Sequence, residues 1–431
     1  MSKILMLGWE FPPLYSGGLG IATYGMVKAM SQRAQICLII PNAGPMEGLG
    51  NVAIKGLNKV TADEVNLERL AYNLSELGAE VHQLPLRLSP YHHVNQALGQ
   101  SSEELLELLR TGKASIADLH ALFEGKDVYG SNILQKIQLY ALLASDVARD
   151  KTFDVIHAHD WITYLAGLRI KAESGKPLVL HVHSLETDRS GTDCRNNIYQ
   201  LEKESMAAAD RIIAVSQYTK DQIKTHYNIE PEKVAVVHNG IDPAPVKRKK
   251  HALKDKLVVF LGRVTHQKGP DFLIETAEKV SSVYPRVKFV VAGTGDQFHH
   301  VLESSAYKKL GSKFIFTGFL SKAKVNELLS MADVYFMPSV SEPFGLSALE
   351  AAQFGVPGVI SKQSGAAEVV KGMLQADFWD TDKYANYIHA LLKYPPLKTE
   401  LTAKAMLEVS ELTWDHAAEK VLGVYDDFSL K

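Results

Sequence analysis

Residues 257–277 read LVVFLGRVTHQKGPDFLIETA, an unbroken apolar stretch that passes through a glycine turn into a helical pattern. An apolar run without polar alternation is the signature of a strand buried on both faces, and such strands belong to parallel sheets joined by helices. The same pattern extends in both directions. Upstream stand ILMLGW, QICLII, FDVIHAH, PLVLHVH, RIIAVS and VAVVH, and downstream KFVVAG, FIFTG, DVYFMPS and PGVIS. The pattern predicts an α/β chain.

The chain has 431 residues, more than one ordinary hydrophobic core organises. Between residues 243 and 256 the text changes to PAPVKRKKHALKDK, where prolines and lysines replace hydrophobic periodicity as they do in exposed connectors. This predicts a first domain over 1–245, a second over 246–410, and a last amphipathic helix over 411–431 with Trp414 and Val421 on its apolar side. The KRKK run at 247–250 reads as a solvated hinge. Residues 100–125 read as inserted helices that pack on the first domain.

Apolar residues make up 46% and charged residues 22%, and the net charge is −2. That balance gives no electrostatic reason to expect nucleic acid as a partner, and no run of about 18 apolar residues suggests a membrane span. The N-terminal run stops at Glu10 and meets prolines, so it reads as a first strand rather than a leader. Two cysteines, Cys37 and Cys194, lie far apart without metal-ligand spacing, which points to a reducing compartment, the cytoplasm.

Open parallel sheets bind ligands beyond the carboxyl ends of their strands, so polar groups just after each apolar run are the candidates. Ser16-Gly17-Gly18-Leu19-Gly20 follows the first strand and opens a helix, where bare backbone N–H groups suit a phosphate or sugar; a tight turn would also explain it. The spacing differs from G-x-G-x-x-G, which disfavours a dinucleotide. Gly293-Thr294-Gly295 also lacks the third glycine. His157, His159 and Asp160 follow FDVI: the histidines suit sugar hydroxyls or a reacting centre, and Asp160 suits an N-cap. Two histidines alone leave a metal without a third ligand, so none is expected.

Arg263 and Lys268 flank a strand exit and helix start, where two cations would meet the charge that builds on a departing diphosphate. Ser341-Glu342-Pro343-Phe344-Gly345-Leu346-Ser347-Ala348-Leu349-Glu350 is the sharpest signal. Pro343 suits a first helical turn, which would set Glu342 at the loop edge and Glu350 roughly two turns along the helix. Capping plus an exposed glutamate is the plain alternative. Asp380-Thr381-Asp382 spells D-x-D but reads as a loop.

Taken together, WEFPP with GGLG, HAHDW, AVSQYTK, HNGID, FLGR with Lys268 and EPFGLSALE resemble, in order and over nearly the whole chain, the retaining glycosyltransferases of family 4 and their glycogen and starch synthase relatives. The resemblance implies the GT-B fold: two Rossmann-like domains facing a central cleft, with the C-terminal helix packing back on the first. It implies transfer of a hexosyl group, glucosyl in the first instance, from a UDP- or ADP-glucose type donor to a carbohydrate acceptor, without metal or cofactor. By position, Gly18 approaches the donor phosphate, Arg263 and Lys268 hold the diphosphate, Glu350 binds the ribose, Glu342 contacts the sugar and His159 is the catalytic-site histidine. Gly345, Leu346 and Asn239 complete the nucleotide-sugar set.

Three positions depart from that pattern: Ser16 replaces the lysine of ADP-glucose synthases, Ile162 replaces a histidine after HAHDW, and SGAAE at 364–368 replaces paired glycines. A sugar-nucleotide 2-epimerase on the same scaffold and a non-catalytic sugar-nucleotide binder are the competing readings. The second would not need Glu342 or His159.

Overall fold

The computed structural model describes residues 1–14, 17–46, 49–70, 108, 111, 113–123, 133–244, 248–249, 251 and 253–429. Ser16, most of the 100–125 segment, and Lys247 and Lys250 of the connector lie outside these residues. The chain forms two compact units, each built on one parallel sheet.

Unit 1 comprises Met1–Ala214, Lys220–Val237 and Trp414–Lys431. Its strands are β1 (Lys3–Leu7), β2 (Gln35–Ile40), β3 (Val52–Gly56), β4 (Val155–His159), β5 (Leu178–Val182), β6 (Arg211–Ala214) and β7 (Val234–Val236). They lie in the order β3-β2-β1-β4-β5-β6-β7. The strand order therefore reverses beside β1, and a crevice opens at the carboxyl ends of β1 and β4. Alternation sends Leu5, Leu7, Ile156, Ala158 and Leu180 into one apolar layer and Ile4, Met6, Val155, Val179 and Ile213 into the other. Both faces are covered, which is why the strands read as unbroken apolar runs.

The helices of this part are α1 (Gly18–Met30), α2 (Ile116–Phe123), α3 (Ile133–Ala148), α4 (Trp161–Ser174), α5 (Glu186–Ser190), α6 (Asn197–Ala208) and, from Lys220 onward, α7 (Gln217–Tyr227), whose first residues count with unit 2. Helix α2, within the described part of the 100–125 segment, buries Leu119 and Phe123 in the unit 1 core.

Unit 2 comprises Val215–Thr219 and His238–Thr413. The HNGID segment therefore counts with the second unit, not the first: Ile241 N–H donates to Leu412 O at 2.9 Å, and His238 bonds Glu368 at 2.9 Å. Strands β8 (Lys256–Leu261), β9 (Val287–Ala292), β10 (Phe314–Gly318), β11 (Val334–Met337), β12 (Gly358–Ser361) and β13 (Leu374–Ala376) pair in the order β10-β9-β8-β11-β12-β13. The reversal falls between β8 and β11, at the carboxyl end of the run that opened the sequence reading.

Its helices are α8 (Pro270–Val283), α9 (Phe298–Tyr307), α10 (Lys322–Met331), α11 (Leu346–Gln353), α12 (Ala366–Val369), α13 (Thr381–Lys393) and α14 (Pro395–Ser410). The connector is less free than its composition suggests. Arg248 donates to Leu329 O and Ala332 O at 3.0 and 2.6 Å, satisfying carbonyls left open at the C-terminus of α10. Asp380 caps α13 through Lys383 N–H at 3.0 Å, so the D-x-D starts a helix rather than forming a loop.

The last helix, α15 (Trp414–Ser429), packs on α1 in unit 1. Trp414 and Val421 are buried with Ala417, Ala418 and Tyr425. The fit depends on Gly25 of α1, where an added Cβ would lie 2.2 Å from Trp414 Cε2. Arg33 pairs with Asp415 and Glu419, both at 3.0 Å, and fixes the start of the helix.

Candidate active site

In unit 1 the candidates cluster at the carboxyl ends of β1, β4 and β5. His157 and His159 leave β4 on the face of Val155, and His181 and His183 continue the face of Val179 on β5, with His159 in register with His181. The four imidazoles stack: centroids are 4.5 Å apart for His157 and His159 and 4.3 Å for His181 and His183, with planes within 20°. His159 Nδ1 lies 2.9 Å from His183 Nε2, and His157 Nε2 lies 3.2 Å from His181 Nδ1. Tyr425 of α15 meets His157 Nδ1.

Burial is the main reason why these rings stay neutral. It lowers His157 and His183 to about 3 and holds His159 and His181 well below the ordinary imidazole value, with neighbouring imidazoles adding to the effect at His157, His159 and His181. The third imidazole that sequence spacing did not reveal is therefore present: His157, His159 and His181 have ring nitrogens within 4.8 Å of one another. Ring lone pairs lie in the ring planes, so stacked rings do not aim them at one point. These side chains would have to turn before sharing an ion.

Asp160 occupies the N-cap position of α4 but does not cap it. With φ 60° it turns its carboxylate away, to accept from the His183 and Ser184 N–H groups at 2.7 and 3.2 Å. It ties the β4 exit to the β5 exit. Burial raises its pKa to about 7, opposed by Arg189 and by the two backbone donors. Behind it, Arg189 bridges Glu186, Glu202 and Ser184, all three contacts within 2.9 Å.

Gly18 is the first residue of α1. The Gly17 N–H is already committed to Glu10 Oε2 at 3.2 Å, and Glu10 is buried. An incoming phosphate would find the amides from Gly18 onward next to that carboxylate.

In unit 2 the exits of β8, β9 and β11 are locked by backbone contact. A Cβ at Gly293 would sit 1.9 Å from Gly262 O, and one at Gly295 2.2 Å from Val264 O. The glycine pair thus supports the exposed Arg263 loop rather than forming a dinucleotide motif. Lys268 ends a short 3-10 turn, and Gly269 follows at φ 67°, where a Cβ would lie 2.1 Å from Pro338 O. Gln267 O accepts from Val340 and Ser341 N–H.

This stitching sets Lys268 Nζ 2.5 Å from Glu342 Oε2, which also accepts from Ser339 Oγ at 3.2 Å. Neither acid is an exposed cap: the side chains of Glu342 and Glu350 are 10% and 14% exposed, and Glu350 pairs with Lys322 of α10.

The helix after Glu342 starts later than Pro343 predicted. Gly345, at φ 102°, breaks the chain direction and α11 begins at Leu346, so Glu350 lies one turn in rather than two. Pro343 O instead accepts from Ser216 Oγ at 2.6 Å. The amides from Gly365 to Glu368 are occupied: Gly365 N–H donates to Glu342 O, Ala366 N–H to Phe344 O, Ala367 N–H to Ser364 O and Glu368 N–H to Gly365 O. They shape the EPFG turn and are not open to a ligand. Glu368 accepts from Gln217 N–H and His238 Nε2, both at 2.9 Å, and so anchors the start of α7. Asn239 is buried, and its Oδ1 has no partner among the described residues.

The sequence reading passed over Glu10, His183, Glu368 and Tyr425. For His183 a signal existed, because HVH ends the apolar run after HAH just as HAH ends its own. Glu368 and Tyr425 act across sequence gaps that no local pattern spans, and Glu10 acts on Gly17 across a seven-residue gap.

Comparison with known proteins places this geometry. Residues 64–245 match the family described as Glycosyltransferase Family 4, and residues 244–406 match Glycosyl transferases group 1. A glycosyltransferase of Methanocaldococcus jannaschii is 31% identical over 294 residues, covering 63% of this chain and 75% of that protein. A glycogen synthase of Mycobacterium tuberculosis is 25% identical over 379 residues, 85% of this chain and 80% of that one. The solved sucrose-phosphate synthase of Thermosynechococcus elongatus superposes with a TM-score of 0.70 at 15% identity over the full length of both chains. Two parallel-sheet units with reversed strand order, polar groups gathered at their carboxyl ends and these matches lead to one assignment: the chain belongs to the group 1 and family 4 glycosyltransferases of the GT-B fold.

Proposed function

We propose that the protein is a retaining, metal-independent hexosyltransferase that moves a glucosyl group from a nucleoside-diphosphate sugar to a sugar or glucan acceptor. The observation that carries this reading is the Lys268–Glu342 pair at the mouth of the unit 2 sheet, with Arg263 exposed just after β8 and α11 starting at Leu346. A diphosphate needs fixed cations as the glycosidic bond to it breaks, and Arg263 and Lys268 supply them. Drawing Lys268 toward phosphate frees Glu342 for the sugar. Glu350, now paired with Lys322, exchanges that partner for the ribose hydroxyls. The amides of Gly345 and Leu346, at the positive end of α11, face the developing charge.

In unit 1, His159 is kept neutral by burial, so in this reading it offers the sugar a hydrogen bond rather than a positive charge. Gly18 meets the donor phosphate, and Asn239 is a further contact to the nucleotide sugar. Retention follows from departure and attack on one face, with positioning rather than a protein nucleophile as the main demand. The likeness to a glycogen synthase supports glucose as the sugar. Two free cysteines fit a cytoplasmic setting, and no helix among the described residues is long and apolar enough to cross a membrane.

The test is thermal stabilisation by UDP-, ADP- and GDP-glucose, followed by NMR of the product anomer. Stabilisation by one of these and an α-linked product are expected, since a nucleotide that binds the folded state raises its melting temperature. No stabilisation by any of the three, or an inverted product, would overturn the reading. A nucleotide sugar epimerised at C2, with no nucleoside diphosphate released and no acceptor consumed, would instead favour the epimerase.

A further inference from the structure

Within the imidazole stack, two buried ring nitrogens, His159 Nε2 and His181 Nε2, have no hydrogen-bond partner among the described residues. Each neutral imidazole carries one N–H and one lone pair, so the stack can be wired in only a few ways. The wiring starts at Tyr425. This tyrosine is buried on α15, and its hydroxyl meets His157 Nδ1.

If the Tyr425 O–H donates, His157 carries its proton on Nε2 and passes a hydrogen bond to His181 Nδ1 at 3.2 Å. His181 is then protonated on Nε2, and that N–H is the one group left over in the line Tyr425–His157–His181. If the direction is reversed, His157 donates to the tyrosine oxygen. The buried O–H then needs an acceptor and His181 Nε2 becomes an unmatched lone pair. Two groups are unsatisfied instead of one, and each buried polar group without a partner is costly.

His159 is packed within this set. Its ring stacks on His157 at 4.5 Å and on His181 at 5.2 Å, and its Nδ1 is bonded to His183. Rings locked at χ2 by hydrogen bonds hold a neighbour's plane more firmly than rings free to flip.

We propose that Tyr425 is a positioning residue: through the hydrogen-bonded line Tyr425–His157–His181 it sets the imidazole tautomers and holds the ring of His159 in its working orientation. The inference rests on the reading that His159 serves the donor sugar. It gives α15 a function beyond packing, because the helix delivers a hydroxyl to the floor of the candidate site. The neutral state that burial imposes on all four rings keeps the line intact at physiological pH.

The experiment is nitrogen NMR on the full chain labelled at histidine, with His157→Gln used to assign signals, alongside steady-state release of UDP from UDP-glucose and ADP from ADP-glucose. In the parent protein His157 and His181 should both show the Nε2–H tautomer. Tyr425→Phe should return His157 to a tautomer mixture and lower kcat by about tenfold, the scale on which a slightly misplaced group acts, with the donor KM held. Val421→Ala removes buried volume from the same helix without touching the hydroxyl; it should lower the melting temperature and leave tautomers and kcat alone.

An Nδ1–H tautomer at His157 in the parent protein would overturn the proposal, as would Tyr425→Phe with unchanged tautomers and kcat. An inactive His159→Ala beside a fully active Tyr425→Phe would sink this inference alone. A fully active His159→Ala would sink the underlying role of His159 and leave the tautomer result standing.

Discussion

Lys268 Nζ and Glu342 Oε2 stand 2.5 Å apart, although 74 residues separate them in the chain. Each side chain is mostly buried, so each is the other's main electrostatic partner until something displaces it. A cation held in this way is pre-positioned, and the proposed donor has only to exchange one anion for another.

Lys268→Ala should therefore weaken binding of nucleoside diphosphates by about 1.5–3 kcal/mol, the range for a hydrogen bond to a charged group. Calorimetry with UDP and ADP reads this directly. Equal affinity in mutant and parent would remove Lys268 from the diphosphate site. Glu342→Gln keeps the shape and the contact with Ser339; it should lower turnover in a protein that still folds, with a lower melting temperature because Lys268 loses its counter-charge. Normal turnover in that variant would take Glu342 out of the mechanism.

The imidazole stack predicts an acid limit. Its pKa values are depressed on folding, so the unfolded chain binds more protons below the ordinary histidine value, and stability falls as pH drops from about 6.5 toward 3. Asp160 and Glu202, both raised to about 7 by burial, work in the opposite sense. They cost stability as pH rises from the ordinary carboxylate range toward 7. Urea melts across pH 4–8 should show a maximum within that interval, and Asp160→Asn should steepen the fall from about pH 7 toward 4, where the parent carboxyl offsets the imidazoles. A parent curve without a maximum would contradict the neutral, buried state of both groups.

Gly25→Ala should destabilise the protein by about 1–3 kcal/mol through overpacking, since its methyl would meet the Trp414 indole. Trp414→Leu has its own cavity cost, yet combined with Gly25→Ala it should recover part of the loss. Chemical denaturation of the four proteins gives the coupling. Strict additivity would mean that α15 does not depend on this contact.

Much of the fold was legible because burial on both faces writes itself into β1, β4, β5 and β8 as uninterrupted apolar residues, and because ligands gather where such runs end. That logic also named His159, Arg263, Lys268 and Glu342 as candidates, of which the structure pairs Lys268 with Glu342. It failed where a local rule met a distant competitor. Asp160 fits a cap by type, but the amides of His183 and Ser184 claim its carboxylate. Pro343 fits a helix start, yet the positive φ of Gly345 moves that start to Leu346. HNGID follows the last strand of unit 1 and still packs with unit 2, because its partners, Glu368 and Leu412, come 130 or more residues later.

The crowding of Gly293 against Gly262 and of Gly295 against Val264 limits how this enzyme can be retuned. No methyl fits at either glycine, so the segment presenting Arg263 tolerates no diversification there, and libraries selected for a new donor should return both positions unaltered. Under the proposed donor role of Glu350, changes in preference would arise instead at Lys322 and Glu350, whose paired side chains can be exchanged without moving the backbone.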